Sequence, residues 1–106
     1  MERSKVSTNI DKLVNQIIEK YNPIKIILFG SAAQSKSGEV NDVDFMIIKD
    51  KVPHYGADRI RQLYKLIESD IAVDYLVYRP SELERLTSLG DPFIRDIVEK
   101  GTVLYG

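Results

Sequence analysis

The chain has 106 residues and no cysteine, so we expect one domain, residues 1–106, without a disulfide framework or a thiolate metal site. Charged residues make up 29% of the chain but leave a net charge of -1, which excludes a general electrostatic attraction to nucleic acid. No apolar run approaches the roughly 20 residues that a membrane-spanning helix needs, and no signal-type segment follows Met1, so we expect a soluble, cytoplasmic protein.

The first predicted element is a helix over Thr8–Tyr21. Thr8 and Asp11 resemble a capping box, and Asn22-Pro23 ends the helix because the residue before a proline avoids helical geometry. Six apolar residues recur at helical spacing and predict one buried stripe: Ile10, Leu13, Val14, Ile17, Ile18 and Tyr21. We interpret this stripe as part of the core.

A buried strand is predicted over Ile24–Phe29, because this apolar run is short, rich in β-branched residues and bounded by Pro23 and Gly30. The strand ends at Gly30-Ser31. Glycine lets the backbone come close to a phosphate, and the N–H groups at the start of a following helix would point at it. We expect about one helical turn over Ala32–Lys36.

A loop over Ser37–Asn41 leads into a second predicted strand, Asp42–Ile48. Side chains alternate between the faces of a strand, so Asp42 and Asp44 share one face and Val43 lies on the other. Neighbouring carboxylates raise each other's pKa, a conflict that a divalent cation such as Mg²⁺ removes. A lone Asp-x-Asp is more commonly a solvated strand end, but the glycine-serine turn upstream favours a binding site.

The next helix is predicted over Ala57–Ser69, after a loop that contains the only histidine, His54, which we interpret as a loop residue. Four residues mark its buried stripe: Ile60, Leu63, Tyr64 and Ile67. Three basic residues fall away from that stripe: Arg59, Arg61 and Lys65. They predict a solvated cationic face, with an acidic partner or an RNA backbone as the alternative.

Asp74 interrupts the third predicted strand, Ile71–Tyr78, which is otherwise apolar and aromatic. An isolated charge in such a run is costly, so Asp74 lies at a rim or has a partner. If this strand lies beside the second, Asp74 faces Asp42 and Asp44, and three carboxylates can surround a metal. The alternative is a salt bridge to Arg79 or Lys65.

Two short helices and a strand complete the chain. A Ser81/Glu84 capping box opens the first helix and Gly90 ends it; Asp91 caps the second, which Gly101 ends. The second helix is predicted to point four residues inward: Phe93, Ile94, Ile97 and Val98. With a last strand over Thr102–Tyr105, the order of elements predicts an α/β (α+β) domain with a small mixed β-sheet flanked by helices.

Gly30-Ser31, followed after ten residues by Asp42-Val43-Asp44, resembles the signature of the DNA polymerase β-like nucleotidyltransferase superfamily. The chain is most similar to its minimal nucleotidyltransferase branch. The leading helix, the Asp74 strand and the Gly101–Tyr105 ending extend this resemblance over nearly the whole chain. Together, in this order, the motifs are more specific than any one of them alone.

The resemblance implies transfer of a nucleoside monophosphate, usually AMP from ATP, to a hydroxyl acceptor. Gly30 and Ser31 would then hold the triphosphate, and Asp42 and Asp44 would ligate two Mg²⁺ ions. Asp74 would complete the metal site that bears the acceptor oxygen. Two metal ions roughly 4 Å apart can stabilise both the attacking and the leaving oxygen.

Three residues depart from the family pattern. Gln34 and Ser35 stand where the family commonly has arginine and glycine, and Asn41 stands where it commonly has serine. None of these three residues replaces a metal ligand. They bear on turnover and nucleotide affinity.

The resemblance implies three candidate functions. The first is an antitoxin-type enzyme that attaches AMP to a tyrosine of a partner HEPN ribonuclease toxin. The second is a binding module that masks the toxin without catalysis, and the third is a catalytic subunit that modifies a small molecule or RNA. Intact Asp42, Asp44 and Asp74 favour catalysis, and a chain this short favours a homodimer or a hetero-oligomer in which the partner presents the hydroxyl group.

Overall fold

The computed structural model describes residues 5–30, 33 and 42–106. Its helices are α1 (Lys5–Tyr21), α2 (Gly56–Leu66), α3 (Pro80–Ser88) and α4 (Pro92–Lys100), and its strands are β1 (Lys25–Phe29), β2 (Asp42–Ile48), β3 (Ala72–Tyr78) and β4 (Thr102–Tyr105). The predicted fold class is therefore confirmed. Ser31, Gln34, Ser35 and Asn41 lie outside the described residues, as do most of the predicted helical turn at 32–36 and the loop at 37–41.

The four strands form one mixed sheet in the order β3-β2-β1-β4. Strand β1 pairs antiparallel with both β2 and β4, whereas β2 and β3 run parallel. A parallel pair needs a long crossover, which α2 provides between β2 and β3. This crossover brings Asp74 on β3 directly beside β2.

Helices α1 and α2 cover one face of the sheet. The largest buried cluster joins the inward side chains of α1 to Val43, Phe45 and Ile47 of β2, with Phe45 fully buried. Helices α3 and α4 cover part of the opposite face, where Ile94 and Ile97 pack with Met46 and Ile48. The strand alternation therefore leaves Asp42 and Asp44 on this second face, as predicted, at the end that α3 and α4 do not fill.

Lys49 fixes the end of α1 against the sheet. Its Nζ donates to the carbonyl oxygen of Tyr21 at 2.6 Å and to that of Asn22 at 3.3 Å, and it lies 4.9 Å from the centre of the Tyr21 ring. A cation at the C-terminus of a helix satisfies free carbonyls and complements the helix dipole. The helix begins at Lys5, so Thr8 lies within its first turn and the predicted Thr8/Asp11 capping box is wrong.

Arg59 is buried, with an exposed fraction of 3%, so its predicted place on a solvated cationic face is wrong. Its Nε donates to Pro53 O at 2.6 Å, and its two terminal nitrogens donate to Val77 O, His54 O and both carboxylate oxygens of Glu82. All five N–H donors of the guanidinium group are thus used. Arg59 joins the loop before α2 to the end of β3 and the start of α3.

The N-terminus of α3 also differs from the prediction. The helix begins at Pro80, and the backbone N–H of Arg79 donates to Oε1 of Glu82 at 2.7 Å. The predicted Ser81/Glu84 capping box is therefore wrong, because both residues lie inside the helix. The predicted cap of α4 is confirmed, since Asp91 Oδ1 accepts from the N–H groups of Phe93 and Ile94.

Three predicted core residues are instead exposed. Phe93 and Val98 of α4 are 52% and 55% exposed, and Tyr64 of α2 is 52% exposed. Short helices of nine and eleven residues bury a narrower stripe than periodicity alone predicts. None of the described helices is long and apolar enough to cross a membrane.

Candidate active site

Three carboxylates lie together at one end of the sheet, on the face that carries α3 and α4. Asp44 of β2 and Asp74 of β3 are register partners, and Asp42 pairs with Ala72 two residues earlier in the same ladder. Neighbouring strands are about 4.8 Å apart, and alternate residues of one strand are about 7 Å apart. The predicted proximity of Asp74 to the other two is thus confirmed. We call these three residues the carboxylate cluster.

The environment of Asp44 shows how closely the cluster is packed. Burial raises the pKa of Asp44, the charges of Asp74 and Asp42 raise it further, and a hydrogen bond with Asp74 has the same effect. The cluster therefore has a greater affinity for a cation, a proton or a metal, than isolated carboxylates have.

The alternative partners for Asp74 are not used. Among the ion pairs between described residues, none joins Asp74 to Arg79 or Lys65. The guanidinium group of Arg79 donates instead to Val52 O at 2.9 Å. The strand position of Asp74 thus serves the cluster and not a structural salt bridge.

Gly30 follows β1 at the edge of the cluster. Its φ of +75° lies in the left-handed region that favours glycine, and a Cβ atom on it would collide with Oδ2 of Asp44. Backbone and carboxylate can approach this closely only without a side chain at position 30. The observation agrees with the predicted role of Gly30 in bringing main chain next to the reacting groups; Ser31, its predicted partner in phosphate binding, lies outside the described residues.

The chemistry of the donors suits a divalent cation, but their present spacing does not. Carboxylate oxygens are the hard ligands that Mg²⁺ prefers. Within residues 5–30, 33 and 42–106, no group of three or more His, Cys, Asp or Glu side chains is already arranged to hold a metal ion. Asp44 and Asp74 are register partners on adjacent strands, and the charge of Asp74 raises the pKa of Asp44.

Tyr64 supports the strand that carries Asp74, a role that the helical pattern did not indicate. Strand β3 is the outer strand of the sheet, so its outward carbonyls have no strand partner. The hydroxyl group of Tyr64 donates to the carbonyl oxygen of Val73, and its ring meets that of Tyr75 edge-on at 5.3 Å. The backbone next to Asp74 is thereby held from the side of α2.

An aromatic pair, Phe29 and Phe93, borders the cluster on the other side. Phe29 is the register partner of Asp44 across the β1–β2 ladder, so the two side chains are neighbours on one face. The ring of Phe93 meets that of Phe29 nearly perpendicularly, with 6.1 Å between centroids. Strand alternation could have indicated Phe29 from the sequence, whereas Phe93 is brought here only by the packing of α4.

Comparison with known proteins agrees with this geometry. A family model described as "Polymerase beta, Nucleotidyltransferase" matches residues 12–106. A curated protein of Methanocaldococcus jannaschii, named "Putative protein adenylyltransferase", is 33% identical over 100 residues, which cover 91% of this chain and 94% of that protein. No solved structure matches the chain at a significant level.

Proposed function

The chain belongs to the polymerase β nucleotidyltransferase family, and on this premise we propose that it transfers AMP from ATP to a hydroxyl group with Mg²⁺ as cofactor. The observation that carries the proposal is the carboxylate cluster of Asp42, Asp44 and Asp74 beside Gly30. Such an arrangement is costly in a protein that does not use it, since burial and like charges both oppose ionisation of Asp44. A cation-dependent reaction accounts for that cost.

Each residue of the site has a distinct task in this proposal. Gly30 and Ser31 hold the triphosphate through backbone N–H groups and the serine hydroxyl. Asp42 and Asp44 would hold the metal ions, and Asp74 would complete the ligand set on the acceptor side. Bound Mg²⁺, two ions by family resemblance, supplies positive charge for the attacking and leaving oxygens.

The transfer forms a bond between the acceptor oxygen and the α-phosphorus and breaks the bond to the β-phosphate, so that pyrophosphate leaves. The acceptor hydroxyl must also lose its proton. Asp74 lies at the outer strand of the sheet, on the side away from Gly30, and its carboxylate is exposed. We assign the proton to the carboxylate of Asp74, because a group within hydrogen-bond reach of the acceptor is required for this step.

We propose that the acceptor is a tyrosine of a partner protein, a HEPN-type ribonuclease toxin. The name of the curated relative, which specifies protein as the acceptor, supports a protein substrate. Modification of the toxin would make this cytoplasmic chain its antitoxin.

Nucleotide binding tests the site. We expect the purified protein to bind ATP in the presence of Mg²⁺ and to lose binding when Mg²⁺ is chelated. The double variant Asp42→Asn/Asp44→Asn should fold and fail to bind, whereas Asp70→Asn, an exposed acid outside the cluster, should bind normally. Equal binding of ATP by the double variant would remove the proposed function.

The protein encoded by the neighbouring reading frame is the first candidate to test as the acceptor. We expect it to be a HEPN ribonuclease with an Arg-x₄-His motif, and mass spectrometry of the co-expressed partner should show added AMP on tyrosine. A partner that is neutralised without modification would favour the binding module. A different neighbour, with AMP transferred to a small molecule or RNA, would favour the third candidate function.

A further inference from the structure

We propose that Phe93, supported by Phe29, is the surface on which the base of the bound nucleotide stacks. The inference rests on the proposed function and adds to it a residue that recognises the nucleoside. Phe93 lies outside the glycine-serine and Asp-x-Asp signature, and Phe29 directly precedes its glycine. The fold brings Phe93 beside Phe29.

The first step of the argument is the position of Phe29. One row across the sheet contains Phe29 on β1, Asp44 on β2 and Asp74 on β3, all on the same face. Opposed side chains of adjacent strands have Cβ atoms about 5 Å apart. An aromatic ring therefore stands directly next to the central carboxylate, and Phe93 meets that ring at 6.1 Å.

The second step is that Phe93 does not serve the core. In α4, the side chains that close the hydrophobic cluster are Ile94 and Ile97, which are 1% and 2% exposed. Phe93 is 52% exposed and contacts Phe29 by an edge-to-face arrangement, with 88° between the rings. An aromatic ring that is about half exposed and supported by a second ring can receive a planar ligand.

The third step concerns which ligand contacts Phe93, the base of the nucleotide or an aromatic acceptor. Phe29 is in β1 and leads directly into Gly30, whereas Asp74, the proposed acceptor-side ligand, is on the opposite side of Asp44. With the acceptor assigned to the Asp74 side of Asp44, we place the nucleoside on the other side, near Phe29 and Phe93. Phenylalanine has no polar side-chain atom, so it binds the π-face of the base and does not choose among bases by hydrogen bonding.

Fluorescence offers a direct test, because the chain has no tryptophan. We expect the single tryptophan of Phe93→Trp to be quenched by ATP with Mg²⁺ and not by inorganic tripolyphosphate with Mg²⁺. Val98→Trp is the matched control: Val98 is in the same helix and is 55% exposed, but five residues further on it points about 140° away around the helix. ATP should not quench that variant.

Calorimetry should separate the base from the phosphates. We expect Phe93→Ala to weaken ATP binding about 5- to 100-fold, the range that loss of a base-stacking ring produces, and to leave tripolyphosphate binding unchanged. Phe93→Leu keeps an apolar contact with Phe29 and should lose ATP affinity as well, which distinguishes stacking from packing. Val98→Ala should bind ATP like the wild type. Phe93→Ala should weaken the binding of GTP by the same factor as the binding of ATP.

The outcomes distinguish this inference from the proposed function. Wild-type protein that binds ATP while folded Phe93→Ala and Phe93→Leu bind it equally well would overturn the stacking role alone. Wild-type protein that binds no nucleotide would overturn the proposed function and the inference with it. Equal losses for ATP and tripolyphosphate would also count against stacking, since they would show that Phe93 acts on the phosphate site.

Discussion

Asp44 and Asp74 are register partners on the parallel strands β2 and β3, and the charge of Asp74 raises the pKa of Asp44. Parallel pairing brings together two residues that are 30 positions apart in the chain. Since β2 and β3 are joined only through the α2 crossover, everything that seats α2 also maintains this pair. Arg59 and Tyr64 of α2 donate hydrogen bonds to the β3 carbonyl oxygens of Val77 and Val73.

Replacement of Asp74 by asparagine should stabilise the metal-free protein. The charge of Asp74 raises the pKa of Asp44, so its removal relieves a repulsion at neutral pH. In a domain of this size, about 1 kcal/mol raises the Tm by roughly 4–8 °C. Thermal unfolding without divalent cations measures the effect, and Asp70→Asn is the control.

The same variant should lose the response to metal. We expect Mg²⁺ to raise the Tm of the wild type, because binding to the folded state alone adds stability, and to have little effect on Asp74→Asn. AMP transfer by this variant should fall at least about 100-fold, the lower range for loss of a positioned acid or base. Equal stabilisation of both proteins by Mg²⁺ would contradict a metal site at the cluster.

Replacement of Gly30 by alanine should impair nucleotide binding more than stability. A left-handed backbone costs a non-glycine residue roughly 1–2 kcal/mol. The new Cβ collides with the tip of the Asp44 side chain, which can rotate away at little cost in stability but then no longer faces the site. We expect ATP affinity to fall at least about tenfold, measured by calorimetry.

Gly90 supplies the matched control for this change. It has a similar φ of +72°, and a Cβ atom there meets nothing within 4 Å. Gly90→Ala should therefore lose comparable free energy of unfolding and keep normal ATP binding. Similar losses of ATP affinity in the two variants would show that the contact with Asp44 is unimportant.

Arg59→Gln should destabilise the protein strongly. The change leaves several backbone carbonyls and the partly exposed carboxylate of Glu82 without their donor, and each buried acceptor left unsatisfied costs about 1–3 kcal/mol. Urea unfolding measures this loss. Arg61→Gln removes an exposed pair with Asp58 and should cost less than about 1 kcal/mol. A small loss at Arg59 would show that α2 is seated mainly by its apolar contacts.

The Arg59–Glu82 pair also predicts a dependence of stability on pH. Hydrogen bonds from Arg59 lower the pKa of Glu82 below its ordinary value of 4.5, so the unfolded state takes up this proton first as the pH falls. The contribution of Glu82 is therefore complete above about pH 4.5 and is lost as the pH falls through the lower pKa of the folded state.

Comparison of wild type with Glu82→Gln isolates that contribution. The difference in the free energy of unfolding between the two proteins should be constant near neutral pH and shrink on acidification. Glu84→Gln, at an exposed position of the same helix, should show no such trend. A difference that stays constant down to pH 3 would contradict the assignment.

Local sequence patterns were sufficient to predict the strands and to single out the candidate ligand residues. The bounds of β2 and β4 agree with the predictions, and the alternation of β2 correctly placed Asp42 and Asp44 on the face opposite Val43. These features depend on the two-residue period of a strand, which is a property of adjacent residues. The catalytic roles of the three aspartates remain predictions that the experiments above address.

Helical patterns were less reliable where a side chain is amphipathic or a helix is short. Arg59 was expected in solvent but is buried, because backbone carbonyls and Glu82 that are distant in the chain satisfy its guanidinium group. Phe93 was expected in the core but is half exposed, because α4 has too few residues to bury more than Ile94 and Ile97. In both cases the deciding partners come from other elements.

The sequence by itself determined the elements of this protein and the spacing of a glycine-serine turn and an Asp-x-Asp strand, since both follow from the local geometry of the chain. Only the tertiary structure decided that Asp74 stands opposite Asp44 and that Phe93 reaches Phe29. The reason is physical: strand order and the docking of helices are set by the joint burial of apolar faces, to which residues far apart in the chain contribute together.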